Sequence, residues 1–106
     1  MLNKQTTLYF YRGTTSSLEF DFSSFIFQPN GKCVFTISSI YENNELLQFE
    51  FIESKKYVML ISDEFTSKLK DNKYFYNIIY EVDGERYPQC ANSDIIVKDI
   101  INGTRD

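Results

Sequence analysis

The chain has 106 residues, a formal net charge of −4 and a sequence pI near 4.8, with 42% apolar and 25% charged residues. That length suits one domain with one core, and the composition excludes both a disordered tail and a fibrous repeat. The acidic balance, with eleven scattered basic residues, speaks against a nucleic-acid partner, and no apolar run approaches the ~18 residues of a membrane span.

"TLYFY", Thr7 to Tyr11, carries aromatics on both faces and is followed by "RGTT", a turn built on Gly13. In "SLEFDF", Ser17, Glu19 and Asp21 alternate with Leu18, Phe20 and Phe22, the period of a half-buried strand. These two strands are expected either to form a hairpin or to pass from one sheet to another. "FQPNGK" is the next break, where Asn30-Gly31 is expected to take left-handed conformations in a tight turn.

"CVFTISSIY" sets Cys33, Phe35 and Ile37 on one side and Thr36 and Ser38 on the other. After the polar turn "ENNE", "LLQFEFIE" points Leu47, Phe49 and Phe51 inward and Gln48 and Glu50 outward, and "SKK" is expected to close a second hairpin. "YVMLIS" is nearly all apolar, the mark of a strand buried on both faces or central in a sheet.

"SDEFTSKLK" breaks the alternation. Ser62 or Asp63 can cap a short helical turn near 63–69, with Phe65 and Leu69 four apart on its inner side, crossing between sheets. "KYFYNIIYEV" returns to strand, with Tyr74, Tyr76, Ile78, Tyr80 and Val82 on one face and Phe75 and Ile79 on the other. Asp83-Gly84 is a strong hairpin signal, and "ERYPQC" pairs back with Pro88 at an edge or bulge. "ANSD" reads as a further turn and "IIVKDII" as the last strand, with loose termini at 1–6 and 102–106.

About eight strands at roughly ten-residue spacing, one helical turn and no long helix describe an all-β fold, an immunoglobulin-like antiparallel β-sandwich forming a single domain over 1–106. A small barrel and an oligonucleotide-binding barrel are the alternatives.

There is no histidine, so Ser-His-Asp and Cys-His catalysis and imidazole metal sites cannot be built, and Cys33 and Cys90 stand too far apart for a zinc motif. They are expected to be two buried thiols rather than a disulfide. The acids Glu42, Glu45, Asp63 and Glu64 fall in turns, as solvated loop charges do. The four glycines stand singly, so no phosphate loop is formed. No catalytic, metal or cofactor residue is expected, and the chain is read as non-enzymatic. "MLNKQTTLYFYRG" lacks the pattern of a cleaved signal peptide, so the sequon at Asn102 is set aside and synthesis without export is expected. "KYFYNIIY" resembles a base-stacking platform but lacks flanking basic residues.

The tyrosines carry the main functional expectation. Ten Phe and eight Tyr exceed what so small a core needs, and buried phenols want a hydrogen-bond partner. Core packing, with one tyrosine acting as a tyrosine-corner lock whose hydroxyl bonds a backbone carbonyl near the helical turn, is the plainer reading. The functional one makes Tyr9, Tyr11, Tyr74, Tyr76, Tyr80 and Tyr87 an interface with neighbouring subunits.

The order "RGTTSSLEFDF", "GKCVFTIS", "YVMLISDEFTSKLKDNKYFYNIIYEVDGERY" resembles a module of bacteriophage virion proteins, the N-terminal immunoglobulin-like domain of baseplate upper proteins and its relatives in small tail, neck and head-fibre components. The matching positions are Arg12-Gly13, Gly31, Phe35-Thr36-Ile37, Ser62-Asp63-Glu64, Leu69, Tyr74, Tyr76, Asn77, Ile78 and Gly84, spread over roughly residues 8 to 101. Asn72 or Lys73 stands where that family has Gly, and "CANSD" replaces its Gly-rich approach to the last strand. The resemblance implies a virion structural protein made in the host cytoplasm. Its partners would be copies of itself, as dimer or trimer, and other virion proteins such as capsid, fibre or tail components, without nucleic acid or membrane. A carbohydrate-binding sandwich is the alternative function, and a small carboxylate-dependent enzyme the remote third.

Overall fold

The computed structural model describes residues 6–39, 45–70 and 73–100. The centre of the expected "ENNE" turn, the sequon and most of both expected loose ends lie outside them. The elements are β1 (Leu8–Tyr11), β2 (Ser16–Asp21), β3 (Lys32–Ser39), β4 (Glu45–Phe51), β5 (Lys56–Ile61), α1 (Asp63–Ser67), β6 (Tyr74–Val82) and β7 (Glu85–Lys98). Five strands form one sheet in the order β1-β7-β6-β3-β4, and β2 and β5 form a second. The fold is an all-β sandwich in which the first and third strands of the chain lie in one layer and the second and fifth in the other, an immunoglobulin-like arrangement.

Alternation explains the core. The inward residues of β3, Cys33, Phe35 and Ile37, oppose Tyr80, Ile78 and Tyr76 of β6. Phe20 of β2 meets Phe35 edge-on at 5.0 Å and Phe51 at 4.8 Å, while Phe22 lies 5.2 Å from Phe51. The aromatic excess thus fills the space between the layers, each fully buried ring contributing about 1.5–3 kcal/mol.

Several local expectations hold. Ser62 Oγ accepts from Phe65 N at 3.1 Å to cap α1, and Leu69 is buried behind it. Asp83 and Gly84 take φ of 52° and 80°, the doubly left-handed pair of a tight hairpin turn between Val82 and Glu85. Cys33 and Cys90 are buried thiols with no disulfide between them.

Other expectations are corrected. There are seven strands among the described residues, because "ERYPQC" and "IIVK" run on as one strand of 14 residues. The "ANSD" turn is absorbed as an irregularity, with Asn92 left-handed at φ 53° and its N–H donated to Asn77 Oδ1 at 2.8 Å. Pro88, as expected, sits at a bulge, opposite Ile79 and beyond the four residues of β7 that β1 covers, so its missing donor leaves no ladder bond unmade. The large sheet is mixed, since β1 runs parallel to β7; β1 and β2 belong to different layers, the second of the two arrangements expected for them.

The "SKK" connection likewise makes no hairpin. It carries the chain from one layer to the other, so that Phe51 and Tyr57 meet at 4.6 Å across the core. "YVMLIS" is not a central strand. Among the described residues it pairs with β2 alone, and Val58 and Leu60 are 62% and 69% exposed. Finally, Gly31 is not left-handed. Asn30 alone supplies the positive φ, at 66°.

Candidate functional site

The residues of the large sheet that alternate away from the core form its outer face. Across β4, β3 and β6, Glu50, Val34 and Ile79 stand in one row and Gln48, Thr36 and Asn77 in the next, with Ser38 beside Phe75. The sheet curls around them to leave an open recess of about 410 Å³, rimmed by Lys32, Glu45, Glu81 and Arg86. Val34, Ile79 and Phe75 put apolar side chains into a lining that is otherwise polar, with Thr36, Ser38, Gln48 and Asn77 between and beside them.

Two ion pairs flank the recess, Lys32 with Glu50 and Arg86 with Glu81. Glu50 Oε2 accepts from Lys32 Nζ at 3.3 Å and from Gln48 Nε2 at 3.0 Å, and Glu81 Oε2 accepts from Arg86 Nε at 3.3 Å. Pairs this exposed contribute no more than about 1 kcal/mol each, so they shape the surface more than they hold the fold. The Asn92 amide occupies the Asn77 oxygen and orients the carboxamide in the sheet face. Such a surface can bind through shape, amide hydrogen bonds and apolar contact. Among the described residues no group of three or more His, Cys, Asp or Glu could hold a metal ion, and no helix is long and apolar enough to cross a membrane.

The six tyrosines singled out from the sequence do not form one surface. Tyr76 and Tyr80 are 4% and 8% exposed and point into the core. The Tyr76 hydroxyl donates to Thr6 O at 2.5 Å, and burial pushes its pKa up. The Tyr80 hydroxyl accepts from Gln28 N at 2.7 Å. Tyr74 is half-buried and accepts from Lys70 N at 3.0 Å, the tyrosine-corner lock, although it takes a backbone N–H where a carbonyl partner was expected. All three hydroxyls fasten loops, and Tyr76 and Tyr80 are turned into the core because the second layer covers the face of β6 that they share, which takes these two out of the expected interface.

Tyr9, Tyr11 and Tyr87 are about half exposed. Tyr9 and Tyr11 share the outer face with the recess but lie on β1, two strands from β6, with Lys98 Nζ 5.3 Å above the Tyr9 ring. Tyr87 stands on the other side of the sheet, near the tip of the β6–β7 hairpin, 6.4 Å from Tyr80. No family model matches this chain, and no curated protein or solved structure matches it.

The recess itself was not singled out from the sequence. Its signal was present in Phe75 and Ile79, two apolar side chains on the face of β6 that the alternation assigns to solvent.

Proposed function

We propose that this chain is a non-enzymatic structural module of a bacteriophage virion, made in the host cytoplasm and joining a head fibre, tail or baseplate through protein contacts on the outer face of the five-stranded sheet. One observation carries the reading: Val34, Ile79 and Phe75 place apolar side chains among the hydroxyls and amides of a concave sheet face where Lys32 is already paired with Glu50 and Arg86 with Glu81, so a protein surface can seat there without stranding those charges. The resemblance of the "RGTTSSLEFDF" to "GERY" run to virion immunoglobulin-like domains gives the partner class. A stable contact needs about 1,000 Å² in total, so it would extend from the recess across β7 to Tyr9 and Tyr11.

The test is co-purification of the tagged chain with head, tail and fibre proteins of its virion, with and without Ile79→Glu. The Ile79 side chain points away from the core, so the variant is expected to melt like the parent and to lose the partner. Absence of any virion partner, or binding indifferent to the Ile79→Glu change, would refute the proposal.

A second reading is carbohydrate binding in the same recess, favoured by the amides of Gln48 and Asn77 and the Phe75 ring among its lining. A glycan array that stays silent at high protein concentration removes it.

A further inference from the structure

The second sheet has two strands, so each of them ends in an open edge. The Lys55 carbonyl accepts from Phe22 N at 3.0 Å, which turns the backbone groups of Lys55, Tyr57, Met59 and Ile61 toward β2. The N–H and C=O groups of Lys56, Val58 and Leu60 therefore point outward, and among the described residues no strand pairs with them. An open edge is a template for another strand unless something guards it.

The other edges are guarded. On β2 the outward backbone groups belong to Ser17, Glu19 and Asp21, so two copies meeting there would set carboxylates against each other. The edge strand β4 carries Glu45 and Glu50, and β1 is only four residues long. On β5 the middle is apolar, with Val58 and Leu60 both exposed and no charge between Lys56 and Asp63.

We propose that two copies of this chain join by antiparallel pairing of their β5 edges, extending the two-stranded sheets into one sheet of order β2-β5-β5-β2 about a two-fold axis. Charge selects this partner and this direction. Lys56 opens β5, next to a Lys55 that already pairs with Glu53 at 3.4 Å, and Asp63 and Glu64 stand just past the strand's end, all exposed. Antiparallel pairing lays the basic end of each copy beside the acidic end of the other, whereas parallel pairing would lay like on like.

Matching faces require the axis to pass through a residue rather than between two. An axis at Met59 sets Val58 opposite Leu60 of the second copy, twice, and Lys56 opposite Ser62 of the second copy, beside its Asp63. Four apolar side chains then cover one another on the outward face. The contact is separate from the recess on the large sheet, so either proposal can fail without the other.

Sedimentation velocity across a wide concentration range is expected to show a species of twice the monomer mass. Leu60→Lys, at an exposed position, should melt like the parent yet weaken dimerisation at least about tenfold. Lys56→Glu should weaken it too, and adding Asp63→Lys to that variant should restore it. With Cys33 and Cys90 buried, Val58→Cys combined with Leu60→Cys should cross-link the dimer on mild oxidation, and Val58→Cys alone should not. A monomer at every concentration, a dimer unaffected by Leu60→Lys, or cross-linking by Val58→Cys alone would overturn the inference.

Discussion

The Tyr80 ring fills the space beside Gly31 that a side chain would need: a Cβ on Gly31 would stand 2.9 Å from two of its ring carbons. The Tyr80 hydroxyl then holds Gln28 N at 2.7 Å, and Gly31 N returns to Gln28 O at 2.8 Å. One phenol thus fastens the whole loop between β2 and β3 to β6, with Phe25 packed edge-on at 5.0 Å.

Gly31→Ala is therefore expected to destabilise the protein by about 1–3 kcal/mol through overpacking. Tyr80→Phe is expected to cost about 1–3 kcal/mol by leaving the part-buried Gln28 amide unsatisfied. Thermal melts give both values. In a Tyr80→Leu background the Gly31→Ala cost should shrink, because the atoms it strikes are gone. An undiminished cost would mean that the strain lies in the backbone.

Tyr74 and Tyr76 act at the opposite end of β6. Antibody domains carry the second cysteine of their inter-sheet disulfide two residues after the corner tyrosine. Here that position is Tyr76, whose ring lies 5.6 Å from Phe35, which in turn meets Phe20 of the other layer. Tyr74→Phe should lower stability by about 1 kcal/mol, the net worth of one hydrogen bond, and speed hydrogen exchange at Lys70.

Arg12 ties the end of β1 to the segment after α1. Its Nη1 donates to Leu69 O at 2.7 Å and to Lys70 O at 3.2 Å, while Nε pairs with Asp99 at 3.0 Å. The Asp99 side is exposed and worth little, so the carbonyl bonds matter more. Arg12→Ala is expected to cost about 1.5–3 kcal/mol in chemical denaturation, and Asp99→Ala less than about 1 kcal/mol. Arg12→Lys should recover only part of the loss, since an ammonium lacks the guanidinium fork.

Burial pushes the Cys33 thiol up to about 12 from an ordinary value of 9.0. A folded-state pKa raised in this way gives stability that is fully present below about pH 9 and lost as pH rises from there through about 12, because the unfolded chain ionises first. Cys90 shifts in the same direction for the same cause. Denaturant midpoints should fall across that alkaline window, and Cys33→Ser should flatten the fall. At neutral pH a thiol reagent should label neither cysteine until the chain is unfolded.

Much of the fold was legible locally. Alternation placed Cys33, Phe35 and Ile37 inside and Thr36 outside, Ser62-Asp63 announced a helix cap that Ser62 supplies, and Asp83-Gly84 announced its hairpin, since each depends on neighbours a few residues apart. For the recess, the sequence supplied which side chains leave the core but not that the sheet curls beneath them.

Pairing between distant segments was decided only on folding. Nothing in "EFIESKKYVML" tells a hairpin from a crossing between layers; the choice follows from Phe51 and Tyr57 gaining a shared core. Nor does a run of apolar residues state whether a second strand will cover it, which is why β5 reads as central and stands at an edge. The tyrosines show the same division. Their alternation is a two-residue property of the backbone, while the groups their hydroxyls hold lie as far as 70 positions away. Sequence determined which side chains face in, because the strand period is local, and tertiary packing decided what they meet, because layers are assembled from segments the chain brings together only once.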